Sequence, residues 1–125
     1  MNNAAFGELT FNTGWKTKTN INLFGNDYDV VVKAKAYFEN DGVTPEQEKA
    51  YTDFNKEKAS QLGIVEKLLN NFSEEDATTR FVPRTLLFLR DGGYALLLDD
   101  KKDEDGGIAV TLLPKTEVMA QDEYL

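Results

Sequence analysis

The sequence predicts an α+β fold: a mostly antiparallel sheet of six or seven strands with one long helix, straight or kinked, packed on one face. Three observations predict it. Short alternating segments lie before residue 40 and again after residue 80, a single stretch of helical period lies between them, and no strand-helix-strand alternation repeats. A length of 125 residues fits one core, so residues 1–125 are read as a single domain.

Residues 8–11 and 21–24 alternate and are separated by Asn12, Thr13, Gly14 and a Thr-Lys-Thr-Asn stretch, so they read as two edge-type strands. Trp15, the one tryptophan, is expected to cover an end of the core while its indole N–H finds an acceptor. The turn Gly25-Asn26-Asp27 opens the longest strand candidate, 28–38. Val30, Val32, Ala34, Ala36 and Phe38 share one face of it, as in a half-buried strand central to an antiparallel sheet.

Asn40-Asp41-Gly42 ends that strand, and Thr44-Pro45-Glu46-Gln47 starts the helix. Thr44 can accept from the third helical amide, Gln47 can reciprocate, Pro45 suits the first helical position, and Glu46 and Glu48 suit the positive end of the dipole. Tyr51, Phe54, Leu62, Val65, Leu69 and Phe72 continue the stripe, with one weak turn around Lys58 and a kink or split expected at Gly63. Residues 73–80 read as a polar loop or one capped turn. A hairpin follows, 85–90 and 94–98 about Asp91-Gly92-Gly93, then an acidic turn over 99–107 and strands at 108–113 and 117–120.

The 41% apolar fraction is ample for a core, and 14 basic against 22 acidic side chains give a net charge of −8. A chain this acidic is repelled by phosphate backbones and anionic lipid unless a local basic patch overrides the mean. Along the sequence the densest lysine group, Lys56, Lys58 and Lys67, is interleaved with Glu57 and Glu66. Neither nucleic acid nor membrane is therefore an expected partner. No run approaches the roughly 20 apolar residues of a membrane span, and the first residues lack a signal pattern, so a cytoplasmic setting is expected. The lack of cysteine fits a reducing compartment.

With no histidine and no cysteine, the common general base, thiol nucleophiles and the common zinc and iron-sulfur ligands are missing, and no cofactor is expected. Ser60 and Ser73 are the only serines, and neither sits in a nucleophile elbow. Carboxylates remain. Asp99, Asp103 and Asp105 are the metal-ligand candidates of the 99–105 run. Setting Asp103 and Asp105 as third and fifth ligands of an EF-hand loop puts Lys101 first and Leu112 in the bidentate glutamate position, so that pattern fails. Lys101 and Lys102 inside the run favour a solvated turn.

Arg84 and Arg90 are expected on one strand face with Leu86 and Phe88 between them, as an anion site or as ordinary partners of the surplus carboxylates. Asp100, Glu104 and Tyr124, the last in an acidic tail, are the candidates for partner contact.

Trp15-Lys16, Gln47 with Ala50-Tyr51 and Phe54, Phe81-Val82-Pro83, Asp91-Gly92-Gly93-Tyr94, the 103–110 segment and Gln121-Asp122 together span most of the chain. In these features it resembles an uncharacterised bacterial domain family of unknown function, whose acidic segment carries a histidine that is missing here. The resemblance implies a compact α+β domain and assigns no activity or functional residue. The expected function is a non-catalytic protein-binding module with an acidic surface, of the kind formed by immunity-type antagonists of basic partners. The alternatives are a carboxylate-based metal protein or enzyme, and a structural domain that oligomerises through a sheet edge.

Overall fold

The computed structural model describes residues 1–73 and 76–125, without the side chains of residues 104 and 105. A small hairpin comes first, β1 (Asn2–Asn3) with β2 (Gly7–Glu8). A seven-stranded sheet follows, its spatial order identical to its chain order: β3 (Thr10–Phe11), β4 (Trp15–Leu23), β5 (Asn26–Ala34), β6 (Phe81–Phe88), β7 (Tyr94–Asp100), β8 (Asp103–Leu113) and β9 (Glu117–Ala120). Between β5 and β6 the chain forms α1 (Pro45–Lys56), α2 (Lys58–Phe72) and the single turn α3 (Ala77–Arg80), and it ends in α4 (Gln121–Tyr124). No helix among the described residues is long and apolar enough to cross a membrane.

Every neighbouring pair in the sheet is antiparallel except β5 and β6, which run parallel, Val31 to Ala34 beside Thr85 to Phe88. A helical excursion can carry the chain back to the starting end of the sheet, and a parallel neighbour then results. The strand expected at 28–38 is thus central, but in a mixed sheet. It also stops at Ala34, and Phe38 is 70% exposed, not inward.

The expected single helix is two, and the break falls at Glu57, whose φ of −118° and ψ of 28° leave the helical region. Gly63 lies inside α2 and interrupts nothing. The cause is visible in the stripe: α1 buries Gln47, Ala50, Tyr51 and Phe54, α2 buries Leu62, Val65 and Leu69, and no buried side chain lies between Phe54 and Leu62. With no anchor there, the chain is free to re-aim. The first helix packs toward β6 and the second across β4, following a sheet that twists beneath them.

The start of α1 forms as its sequence predicts. Thr44 Oγ1 accepts from the Gln47 amide at 3.1 Å, and Gln47 Oε1 accepts from the Thr44 amide at 2.9 Å. Gln47 is also fully buried, and its Nε2 donates to the carbonyls of Lys35 at 3.0 Å and Phe88 at 3.1 Å. One side chain thereby ties the helix start to the ends of both β5 and β6.

The main core lies between the helices and the sheet. Phe6, after β1, stacks on Tyr51 at 4.6 Å, Phe88 meets both rings edge-on, and Tyr94 stacks on Phe88 at 4.8 Å. Phe72, expected in the helical stripe, is instead 49% exposed at the end of α2. Trp15 is buried as the first residue of β4, but its indole N–H has no acceptor among the described residues, against expectation.

The opposite face of the sheet holds a smaller cluster, Leu87, Ala95, Leu97 and Ala109, flanked by Leu89, Met119 and Tyr124. The terminal turn α4 packs there against β8 and β9, so Tyr124 is half-buried. Its phenol oxygen is enclosed without a hydrogen-bond partner among the described residues, and burial, then Asp91, pushes its pKa up to about 12. An unpaired buried hydroxyl carries a desolvation cost with no return, so Tyr124→Phe is expected to leave stability unchanged or raise it by about 0.5–1 kcal/mol. Urea titration of the two proteins checks this, and a loss would mean that the hydroxyl has a partner.

Candidate functional site

An apolar-floored cleft of about 500 Å³ lies between the first turns of α1 and the β6–β7 turn. Ala50, Leu113 and Pro114 form its floor, with a cis peptide between the last two. Glu46, Asp53 and Asp91 stand on its rim with one cation, Lys49.

Local rules place each of these groups. Thr44 fixes where α1 begins, and its hydroxyl donates to the Arg90 carbonyl at 2.8 Å, which locks the helix start to the hairpin. Arg90 in turn donates to the carbonyls of Gly42 at 2.6 Å, Asp41 at 3.1 Å and Lys35 at 3.3 Å. Asp91 Oδ1 accepts from the Gly93 amide at 2.9 Å and shapes the turn. Gly92 has φ +91°, and a Cβ there would stand 3.0 Å from the Glu46 carbonyl oxygen, so the close approach of turn and helix requires glycine.

The electrostatics of the rim favour a cation. Lys49 and Asp53 form an i,i+4 pair at 2.6 Å, and this hydrogen bond holds the Asp53 carboxyl below its usual range. Tyr94 lies beneath, its phenol pushed up to about 12 by burial and then by Asp53 and Glu57. Glu46 makes no hydrogen bond or ion pair among the described residues and is exposed. The rim thus shows three carboxylates, only one of which has a lysine.

The acidic hairpin is arranged differently. Asp99 pairs with Arg84 at 2.6 Å on the surface. Asp100 is 7% exposed and accepts two bonds of 2.9 Å from Arg80, whose guanidinium also reaches Ser73 Oγ at 3.1 Å and lies 4.8 Å from the Phe81 ring. The Lys102 amide donates to Asp100 Oδ1 at 3.0 Å. These bonds hold the Asp100 carboxyl below its usual range, the Arg80 hydrogen bond contributing most. Asp103 stands across the turn from Asp100, while the side chains of Glu104 and Asp105 lie outside what the structure describes. Among the described residues no three acidic side chains are grouped as a metal would need. Two of the predicted site carboxylates, Asp99 and Asp100, therefore serve as partners of arginine.

Arg84 and Arg90 do not share a face with Leu86 and Phe88 between them, because those two side chains are buried in the main core. The register shifts between Pro83 and Thr85, which changes the strand's phase at Arg84.

A linear reading also missed a basic group. Strand pairing sets Lys16 directly opposite Lys33 and Lys18 opposite Val31, with Lys35 just beyond. The four lysines form two pairs, Lys16 with Lys18 and Lys33 with Lys35, that are distant in sequence and meet only through the β4–β5 register. No protein-family model, curated protein or solved structure matches the chain.

Proposed function

We propose that the protein is a non-catalytic protein-binding module whose acidic cleft receives a basic side chain of a partner protein, as an immunity-type antagonist would. The single observation that carries this reading is the rim of Glu46, Asp53 and Asp91 around an apolar floor. A lysine or arginine side chain has that dual character, an apolar stem and a charged head. The net charge of −8 adds long-range attraction for a basic partner and speeds its approach.

The triple variant Glu46→Gln, Asp53→Asn and Asp91→Asn keeps the shapes and the acceptor for the Gly93 amide while removing the charge. Capture of partners from an extract of the native host, repeated across a salt series, is expected to weaken about tenfold or more in the variant, since rim charges each contribute a modest share. A partner held equally by both proteins, or held without regard to salt, would overturn the reading.

A further inference from the structure

The open face of β4 and β5 is patterned by charge along its length. Reading across the ribbon, the pairs on this face are Asn22 with Asp27, Asn20 with Asp29, Lys18 with Val31, and Lys16 with Lys33. Successive pairs are roughly 6.6 Å apart, two residues along a strand. One end therefore carries two aspartates and the other three lysines, with Lys35 beyond them lying 5.7 Å from the Tyr37 ring.

Neither end is neutralised among the described residues. Asp27 and Asp29 each accept one amide bond of 3.2 Å, from Asn22 and Asn20, and form no ion pair among the described residues. Lys16, Lys18 and Lys33 likewise face no carboxylate within pairing distance among the described residues. Like charges directly across a strand pair destabilise a sheet, and Lys33 shows it: burial, then Lys16 and Lys35, lower its pKa. In a chain with 22 acidic side chains, none of the described ones is placed beside these lysines.

We infer that this ribbon is a self-complementary face on which two copies of the chain pack sheet to sheet, about a two-fold axis that lies between the sheets and runs across the strands. Such an axis reverses the strand direction and leaves each strand over its own counterpart. Centred between the Asn20–Asp29 and Lys18–Val31 pairs, it sets Lys33 over Asp27 of the second copy and Lys18 beside its Asp29. The same contacts recur on the other side, as an isologous interface demands. Sheets stacked this way sit about 10 Å apart, which extended lysine side chains can span. No described helix covers this part of the sheet, since α1 and α2 lie on the core face and α4 packs at β8 and β9. Four strands of this length offer a small face, so the dimer is expected at the weak, concentration-dependent end of protein association.

The test uses two charge reversals in the full chain, Lys16→Glu with Lys33→Glu, and Asp27→Lys with Asp29→Lys. Sedimentation equilibrium from micromolar to millimolar chain should show a monomer–dimer equilibrium for the parent protein. Each variant alone should associate at least about tenfold more weakly, because like charges then meet. Mixed in equal amounts, the two variants should form a heterodimer, since one now presents two acidic ends and the other two basic ends. If a reversal disturbs folding, the neutral pair Lys16→Gln with Lys33→Gln reads the same loss. A parent chain that stays monomeric throughout, a dimer indifferent to either reversal, or a mixture that fails to associate would each overturn the inference. None of these residues lines the acidic cleft, so the outcome is separate from that of the partner capture.

Discussion

Gln47→Glu is expected to lose about 3–5 kcal/mol of unfolding free energy at neutral pH. Gln47 is fully buried, and its Nε2 faces the carbonyl oxygens of Lys35 and Phe88 at 3.0 and 3.1 Å. A carboxylate there would set negative charge against two acceptors with no water to screen it. The new carboxyl can enter the fold only protonated, so its folded pKa must rise above the unfolded value of about 4.3. A raised acid pKa means that the native state binds the extra proton. The deficit is therefore smallest below the unfolded pKa and grows as pH rises toward the folded one. Urea titrations of parent and variant between pH 4 and pH 8, values on the order of those that bracket the shift, should show the gap widening with pH. A constant gap would mean that the site admits water or a counter-charge.

Arg80→Met is expected to cost about 2–4 kcal/mol, a figure set below that of a fully enclosed pair because Arg80 is 17% exposed. The loss arises from Asp100, left at low exposure with the Lys102 amide and without the two guanidinium bonds. Here the linkage runs the other way. The Asp100 pKa is depressed in the fold, so its contribution is present above the unfolded value of about 3.9 and disappears as pH falls through the folded one. The parent should lose stability on acidification across that window, and the variant should lose less. Arg80→Met combined with Asp100→Leu should recover part of the deficit, since Phe81 and Phe72 already surround the guanidinium with apolar surface. An additive double variant would show that the two side chains do not act as a pair.

Local rules made much of the fold legible. The Thr44 and Gln47 capping pair, the Asp91-Gly92-Gly93 turn and the alternation of Val30, Val32 and Ala34 each depend on neighbours within a few residues, and each forms as read. What the sequence left unread depends on distant partners. The break at Glu57 follows from the sheet that the helices must cover, and the parallel β5–β6 pair from where α3 returns the chain. Phe6, on an unremarked N-terminal stretch, becomes core because Tyr51 and Phe88 meet it. The site shows the same division. Glu46 was visible only as a favourable helix residue and Asp53 carried no signal of its own, since their cleft needs the hairpin brought to the helix by Arg90 and Gly92. The lysine ribbon needs a strand register, which no window of consecutive residues displays.

The parallel seam between β5 and β6 also bears on how the chain reaches its fold. Strands β3 to β5 form one run of sequence neighbours and β6 to β9 another, each able to zip from its own short turns. Joining them requires Val31 to find Thr85, with both main helices in the intervening loop. Closing so long a loop is entropically the most demanding contact in the sheet, and non-local pairings of this kind slow folding. The rate-limiting event is then expected to be the docking of two preformed meanders, with the Gln47 amide fastening the seam once the strands have met.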